Sequence, residues 1–274
     1  FTANFRQMLK EKIVCGIQQI GIGVSNIYEA WNWYRENFGM DIRIFEDAAV
    51  AELMLLYTGG EPRKRHAALT MNLQGGGGFE IWQYVGRTPL KADHEILTGD
   101  LGIYITKIKT RDVRSAYEIF KKKNNDLQSL LKGPDGKEHF FVKDPYQNIF
   151  QIVEGNGWFA NEPGKPTGAA YGAIIGVSDI DKARQVYSGI LGFDTVVYDK
   201  TGKFDDLKNL PGGDGSFRRV LLHHSKPHIG SFSRILGPSE MELIQALDRK
   251  PAKIFENRFW GDLGFIHLCF DIKG

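Results

Sequence analysis

The sequence predicts an α+β fold assembled from repeated βαβββ units, and three observations lead to that prediction. The segment "IGVSN" at residues 22–26 returns as "IGVSD" at residues 175–179. The tetrapeptide "GDLG" at residues 99–102 returns at residues 261–264. Repetition of this kind indicates a duplicated structural unit. Within each copy, several apolar strand segments accompany one segment of helical spacing, which sets the expected order of elements.

Composition indicates an ordinary globular protein. A length of 274 residues suggests two compact domains, and 42% hydrophobic with 25% charged residues is a typical balance. No run approaches the roughly 18 apolar residues that a membrane span requires. A net charge of +2 is too small to indicate a nucleic-acid-binding surface. We therefore expect a small-molecule partner, with no nucleic acid and no membrane span.

The cysteines and the first residue leave the compartment open. Cys15 and Cys269 are far apart and form no CxxC motif, which argues against a disulfide framework or a Cys-rich zinc site. The sequence begins at Phe1 rather than Met, so we expect a preceding segment. That segment is either an ordinary disordered start or a targeting segment already removed. Both a cytoplasmic and an exported protein fit these observations.

The first unit begins with an apolar strand and continues with a helix. Asn26 stands at the expected N-cap and Gly39 at the expected helix end. Three strands follow, in "DIRIFE", "HAALTMNLQ" and "FEIWQYV". The helix is predicted from apolar residues at helical spacing, namely Ile27, Ala30, Trp31, Tyr34 and Phe38.

A second, fainter unit completes the first half of the chain. "GIYITKI" is its opening strand, and "HFFVKDPYQNIFQIVE" is a hairpin turned by Asp144 and Pro145. The two units together predict a first domain at residues 13–154. The helix of this unit is predicted from the apolar residues Val113, Ala116, Tyr117 and Phe120.

The second half repeats the pattern after a Gly- and Pro-rich linker at residues 155–169. A third unit has Asp179 as its N-cap and Gly192 at its helix end, and "GKFDDLKNLPGGDG" is an inserted loop. "GDLGFIHLCF" is then only the first strand of a fourth unit. The second domain is thus expected at residues 170–274 and incomplete. Copies of equal length would continue for about 40 residues, including the last strand of the fourth unit.

These motifs resemble the vicinal oxygen chelate superfamily. The residues that carry the resemblance are the opening strands ending in "GVSD" or "GVSN", the "LGF" helix end, the "DPYQN" hairpin and the last strands with "EL" or "EI". The superfamily includes glyoxalase I, extradiol dioxygenases, fosfomycin-resistance enzymes and metal-free bleomycin-binding proteins. The resemblance implies that paired units form sheets curled into cups. It also implies a divalent metal ion held by first and last strands, and it leaves a homodimer open.

Carried over position by position, the resemblance implies a set of ligand positions in the four units. Strand parity supports the set, because Gln19, Gly21 and Gly23 share one face of the first strand and the apolar residues share the other. The implied positions are Gln19 and Glu80 in unit one, Ile105 and Gln151 in unit two, Gly172 and Glu242 in unit three, and His267 in unit four.

The two halves differ in the donors that they offer. In the first half, Gln19, Glu80 and Gln151 provide one carboxylate and two amides, a poor metal site, and we expect these three side chains to hydrogen-bond one another or to line a second candidate pocket. In the second half, His267 and Glu242 are the expected metal ligands, and Glu242 is also the expected catalytic carboxylate. Gly172 cannot ligate, which counts against dioxygenase chemistry.

Other side chains are candidates for contact with substrate. Arg219 and His223 share one face of a strand and could hold an anion, although an exposed strand with polar side chains explains them somewhat better. Trp82, Tyr84 and Trp260 are candidate stacking surfaces. The leading hypothesis is a metal-dependent, glyoxalase-like lyase or isomerase using Zn, Ni, Fe, Mn or Mg. The alternative is a metal-free protein of the same fold that binds or sequesters a small ligand.

Overall fold

A computed structural model describes residues 13–123 and 125–273, and in this part of the chain the structure forms two mixed β-sheets with helices packed between them. Cys15 and Cys269 are both free, Cys15 buried and Cys269 half-buried. No helix of the described residues is both long enough and apolar enough to cross a membrane.

The first unit has the predicted βαβββ order, with a short 3-10 helix at residues 52–57 between its second and third strands. The Asn26 side chain accepts hydrogen bonds from the amides of Tyr28 and Glu29, and Gly39 ends the helix in the left-handed conformation. Both predicted helix ends are therefore confirmed. The elements are β1 (Ile13–Val24), α1 (Ile27–Phe38), β2 (Ile42–Val50), β3 (Lys64–Met71) and β4 (Gly78–Tyr84).

The second unit also follows the predicted order, but the segment after its helix forms only two very short strands. Asp144 shapes the predicted hairpin turn, because its carboxylate accepts hydrogen bonds from the amides of Tyr146 and Asn148. The elements are β5 (Gly102–Thr110), α2 (Val113–Lys122), β6 (Asp126–Leu127), β7 (Leu131–Lys132), β8 (Glu138–Lys143) and β9 (Ile149–Glu154).

The third unit is followed by one strand of a fourth. Asp179 caps the helix as predicted, and the inserted loop forms a short 3-10 helix at residues 205–207. The elements are β10 (Thr167–Gly176), α3 (Ile180–Tyr187), β11 (Thr195–Gly202), β12 (Phe217–His223), α4 (Ser233–Leu236), β13 (Glu240–Ala246) and β14 (Gly264–Lys273).

The sheets do not follow the expected pairing of unit one with unit two. The first sheet has the order β14-β1-β4-β3-β2, so the first unit pairs with the strand of the fourth. The second sheet runs β11-β12-β13-β10-β5-β9-β8-β6, so the second unit pairs with the third, and β7 pairs with β8 at its edge. In each sheet, the two opening strands run antiparallel side by side. The expected sheet partners were therefore wrong, whereas the units themselves were identified correctly.

The crossed pairing places the helices between the sheets and a concave face on the outside of each sheet. Residues of α1 and α2 pack against apolar residues of both sheets in one core, and Ile180 of α3 packs in a second core against β10, β12 and β13. Ile20, Ile22 and Val24 of β1 lie in the first core, as the strand parity predicted. The alternate residues, Gln19, Gly21 and Gly23, therefore belong to the opposite, cup-forming face.

Candidate functional site

In the first sheet, three polar side chains of the cup meet at one point. Nε2 of Gln19 lies 2.6 Å from Oε2 of Glu80, and Nε2 of His267 lies 3.2 Å from the same oxygen. The nitrogens of Gln19 and His267 are 3.5 Å apart. These residues come from β1, β4 and β14, so the group forms only because unit one pairs with the strand of unit four.

The register of the sheet explains how these side chains meet. Gly21 on the central strand β1 lies opposite Glu80 on one side and His267 on the other. A Cβ atom at Gly21 would lie 2.2 Å from both Cε1 and Nδ1 of His267. The absence of a side chain at Gly21 therefore lets the imidazole lie across the central strand toward Glu80.

The outer face of the His267 ring is covered by an aromatic side chain. Trp260 stacks on His267 with ring centroids 4.5 Å apart and an interplanar angle of 13°. The backbone amide of Trp260 donates a hydrogen bond to the carbonyl of Tyr57, which ties the indole to the 3-10 turn of unit one. Nδ1 of His267 is buried and has no hydrogen-bond partner among the described residues. Stacking on Trp260, the space above Gly21 and the contact of Nε2 with Glu80 therefore position this ring.

Charge at the site favours an ionised carboxylate. Burial raises the pKa of Glu80, but hydrogen bonds from His267 and Gln19 outweigh burial and leave the pKa below its ordinary value. The side chains of Glu80 and His267 are 18% and 15% exposed, so solvent and small ligands can reach them. At neutral pH the site thus offers an accessible anionic oxygen beside an imidazole nitrogen.

These three residues fit a divalent metal ion, although they are a small donor set. Carboxylate, imidazole and amide oxygen are all established ligands for such ions. Gln19 would have to turn its amide so that oxygen replaces the nitrogen that now donates to Glu80. Across residues 13–123 and 125–273, no group of three or more His, Cys, Asp or Glu side chains is placed to bind a metal. The candidate site is therefore one imidazole, one carboxylate and one amide, with its remaining positions open.

Glu242 is not part of this group, which corrects the prediction that it shares a metal site with His267. Glu242 lies in β13 of the second sheet and is 1% exposed. One of its oxygens is 2.7 Å from Nε of Arg219, and the other is 3.0 Å from Nζ of Lys107. The reason is the crossed pairing, because β13 and β14 belong to different sheets. The cationic groups of Lys107 and Arg219 thus engage both oxygens of Glu242, which a metal ion would need as ligands.

The position of Gln151 corrects the expected pocket of Gln19, Glu80 and Gln151. Gln19 and Glu80 are hydrogen-bonded as expected, but Gln151 lies in β9 opposite Lys107 in the second sheet. Its Oε1 atom is buried and has no hydrogen-bond partner among the described residues. Gln151 lines a cavity of about 50 Å³ in the second cup, together with Glu242. At the other implied positions, Ile105 is fully buried and Gly172 has no side chain to offer.

The proposed substrate contacts are already engaged within the protein. Arg219 is 1% exposed and binds both oxygens of Asp206 at 2.8 Å, in addition to Glu242. The sequence had suggested that Arg219 could hold an anionic substrate, but its guanidinium is already engaged by these two carboxylates. His223 is half-buried, with Nε2 3.0 Å from Oε2 of Glu240. The second cup is thus a buried network of ion pairs.

Trp82 and Tyr84 are buried against one another rather than open to a ligand. Each is 3% exposed, and their rings meet edge to face with centroids 4.6 Å apart. The hydroxyl of Tyr84 donates to the backbone carbonyl of Trp260, which lies over the candidate site. Tyr84 therefore supports the site through Trp260, and Trp260 stacks directly on His267.

Sequence reasoning missed Lys107 and Asp206, which fill the second cup. Lys107 lies two residues beyond Ile105 in β5 and is buried, whereas a lysine is ordinarily expected at the surface. Asp206 comes from the inserted loop, which was interpreted only as a surface connection. The one available signal was the acidic pair Glu240 and Glu242 on the same strand face, since buried carboxylates require cationic partners.

The protonation behaviour of the second cup follows from its burial. Although burial alone would raise the pKa of Glu242, the charges of Arg219 and Lys107 lower it to about 2. Burial lowers the pKa of His139 to about 3, and the charges of Lys107 and Arg219 act in the same direction. At neutral pH, Glu242 is therefore ionised and His139 is neutral.

The fold and this arrangement of cups define a class of proteins built from paired βαβββ units. The family model described as the Glyoxalase/Bleomycin resistance protein/Dioxygenase superfamily matches residues 16–152, half of the chain. The chain belongs to this superfamily, which confirms the resemblance seen in its motifs. No curated protein sequence shows significant similarity to the chain.

Two solved structures of maize glyoxalase I share the fold at low sequence identity. Glyoxalase I from Zea mays is 13% identical with a TM-score of 0.52, over 88% of this chain and 69% of that one. A glutamate-to-glutamine mutant of the same maize enzyme is 14% identical with the same TM-score, over 87% of this chain and 70% of that one. A putative dioxygenase from Bacillus subtilis is 12% identical, with a TM-score of 0.49 and coverage of 90% and 89%.

Proposed function

We propose that this protein is a metal-dependent, glyoxalase-like enzyme of the lyase or isomerase type, whose ion is held by Gln19, Glu80 and His267. The observation that carries the proposal is the convergence of these three side chains, within 3.5 Å of one another, from three different strands. A half-buried site with one carboxylate, one imidazole and one amide suits a divalent ion of the Zn, Ni, Fe, Mn or Mg group. This proposal replaces Glu242 with Glu80 as the partner of His267.

The chemistry follows from the residues of the site. A divalent ion would act there as a Lewis acid on oxygen atoms of a bound small molecule. The ionised carboxylate of Glu80 can accept a proton from a carbon atom next to such an oxygen. Trp260 covers the His267 ring and keeps water from that side. These roles support proton movement within a substrate, as lyase and isomerase reactions require.

Oxygenase chemistry has less support from the donor set. Non-haem iron oxygenases typically hold their metal with two imidazoles and one carboxylate. Among the described residues around Glu80, His267 is the single imidazole, and the amide of Gln19 stands where a second histidine would be needed.

Elemental analysis of tag-free protein tests the proposal. Wild-type protein reconstituted with Zn²⁺, Ni²⁺ or Mn²⁺ should retain about one ion per chain after dialysis. His267→Ala and Glu80→Gln should lose it. His223→Ala is the matched control, because His223 also faces a glutamate, at 3.0 Å, but lies in the second cup. Retention of the metal by the His267→Ala protein, or no retention by the wild type, would refute the metal site.

A metal-free binding protein of the same fold is the second candidate. The observation that favours it is the second cup, where Lys107 and Arg219 supply the positive charge beside Glu242 and no metal is needed. If the first cup works in the same way, the wild-type protein will contain no metal, and His267 will be a polar wall of a ligand pocket.

A further inference from the structure

A cleft of about 540 Å³ lies apart from both cups, and the proposed function does not use it. It lies where the opening of β5, the turn of the β8–β9 hairpin and the segment leading into β14 come together. Gln19, Glu80 and His267 do not line it. Small-molecule sites in proteins have volumes of roughly 300–1,000 Å³, so this cleft is large enough for one.

The lining of the cleft is mainly apolar. Aliphatic and aromatic side chains from both sheets and from the connecting segments contribute to it. A surface of this kind favours a ligand with a planar or branched hydrocarbon body, because such a body displaces water from apolar walls on both sides. The principal apolar residues are Ile96, Ile103, Ile149, Ile254, Leu263 and Phe265.

The charged residues of the cleft are mainly cationic. Lys91, Lys143 and Arg258 line it, and Glu95 is the one acidic residue in the lining. Among the described residues, none of these three cations forms an ion pair within 4.0 Å, although Asp262 and Asp93 act on Arg258 at longer range. A cleft with three cations and one anion is electrostatically complementary to an anionic ligand.

Two buried polar atoms among the lining residues also lack partners. The guanidinium of Arg258 donates to the backbone carbonyls of Ile254 and Leu263, but its Nε atom is buried with no partner among the described residues. Nε2 of His94 is in the same state, while its Nδ1 lies 2.8 Å from Asp93. Burial lowers the pKa of Arg258, although the guanidinium still remains charged at neutral pH. The Nε–H of Arg258 is a donor that a bound acceptor would satisfy, whereas Nε2 of His94, whose Nδ1 donates to Asp93, would accept from a donor group of a ligand.

We infer that this cleft is a binding site for a small organic anion, a carboxylate or sulfonate carried on an apolar body. The apolar walls take the body, and Lys91, Lys143 and Arg258 attract the acidic group. The inference is independent of the proposed metal site, because the two sites share no residue.

Two fluorescent probes with the same aromatic body test the inference. Anilinonaphthalenesulfonate carries a sulfonate, and N-phenylnaphthylamine lacks it. The folded wild-type protein should bind the anionic probe about tenfold more tightly than the neutral one, since one charge-assisted contact contributes on this scale. The double variant Lys91→Met and Lys143→Met should remove most of this difference, because Arg258 alone then attracts the sulfonate. Both lysines lie at or near the surface, so the fold should be retained, which circular dichroism can verify.

Two control variants separate this cleft from other surfaces. Lys121→Met with Lys122→Met removes the same charge from exposed positions on α2 and should leave binding of the anionic probe unchanged. Leu53→Ser with Leu56→Ser removes an exposed apolar patch, where these side chains are 98% and 94% exposed, and should also leave it unchanged. Equal affinity for both probes would overturn the inference. So would loss of binding in either control pair, or full binding in the Lys91 and Lys143 variant.

Discussion

Arg87 and Asp262 form a two-bond ion pair that joins the end of the first unit to the opening of β14. Nη1 of Arg87 lies 2.5 Å from Oδ1 of Asp262, and Nη2 lies 3.2 Å from Oδ2. Arg249 and Asp100 form the corresponding pair, at 2.7 Å, between the third unit and the second. Each "GDLG" aspartate is thus held by an arginine from the unit that it joins in the sheet. The repeated motif is therefore an attachment point in the crossed pairing of the units.

Removal of this attachment should destabilise the protein strongly. Asp262 is fully buried and also accepts hydrogen bonds from the backbone amides of Leu90 and Phe259. Asp262→Ala leaves these donors and Arg87 without a partner, and we expect the free energy of unfolding to fall by about 3 kcal/mol. Urea denaturation measures the change. As a control, Arg218→Met removes surface ion pairs and should cost less than about 1 kcal/mol; equal losses in the two variants would contradict the role given to Asp262.

The second cup should make stability sensitive to acid through Glu242. The pKa of Glu242 is about 2 in the folded protein, below its ordinary value of 4.5, so its contribution is present above pH 4.5 and is lost as the pH falls toward 2. For a group this deeply buried, the contribution is about 3 kcal/mol. Lys107→Met removes one of the cations that lower this pKa and leaves Glu240 and Glu242 with less positive charge.

We therefore expect Lys107→Met to unfold more easily at pH 7, by about 3 kcal/mol, and to lose less stability than the wild type between pH 5 and pH 2. Urea denaturation at several pH values provides both quantities. If the variant and the wild type lose the same amount on acidification, then Lys107 does not hold down the pKa of Glu242.

His139 should add a second acid-sensitive interval at higher pH. Its pKa is about 3 in the folded protein, because burial disfavours the charged ring, and about 6.5 in an unfolded chain. The unfolded chain therefore binds a proton that the folded protein does not, and stability falls as the pH decreases from 6.5 toward 3. His139→Gln should flatten the pH dependence between pH 6 and pH 4 by up to about 1.4 kcal/mol per pH unit.

His224 provides an additive check on this interpretation. Burial lowers the pKa of His224 to about 4, so it contributes in the same interval. The double variant with His139→Gln and His224→Gln should have a flatter pH dependence of the unfolding free energy than either single variant. A slope unchanged from the wild type in all three would show that these rings are not buried in their neutral form.

Trp260 should act on the candidate site by positioning His267. The indole stacks nearly parallel on the imidazole of His267. Nδ1 of that imidazole has no hydrogen-bond partner among the described residues. Trp260→Ala should therefore weaken binding of Zn²⁺ by roughly tenfold to a hundredfold, the range found when a group supporting a metal ligand is lost. Trp260→Phe retains an aromatic surface and should restore most of the affinity, as competition with a chelator can measure. Equal affinities in the Ala and Phe variants would argue against stacking as the cause.

Local features of the fold were predictable from the sequence, because local chemistry determines them. Asn26 and Gly39 define the ends of α1, and the alternation from Gln19 to Val24 correctly separates the core face of β1 from the cup face. A hydrogen bond between Gln19 and Glu80 was one of the expected arrangements, because the family resemblance implied that both are ligand positions in the cup.

The choice of partner strand could not be predicted in this way. β1 presents the same apolar face to the helices whether it pairs with β5 or with β14, so hydrophobic periodicity does not distinguish the two arrangements. The error in pairing led directly to the error in the site, because it placed His267 with Glu242 instead of Glu80. The burial of Lys107 could not be predicted either, because it depends on ion pairs with Glu240 and Glu242, which belong to a different unit.

The pairing of β1 with β14 sets an order of events during synthesis of the chain. Gly21 meets His267 across this ladder, so the first sheet cannot close until almost all the described residues have left the ribosome. At roughly 20 residues per second or fewer, the strand edge of β1 must wait about ten seconds or longer for its partner. The second sheet, with all its strands between residues 102 and 246, can form earlier. The second sheet, which lacks the candidate site, can therefore fold before the first sheet, which carries the site, is complete.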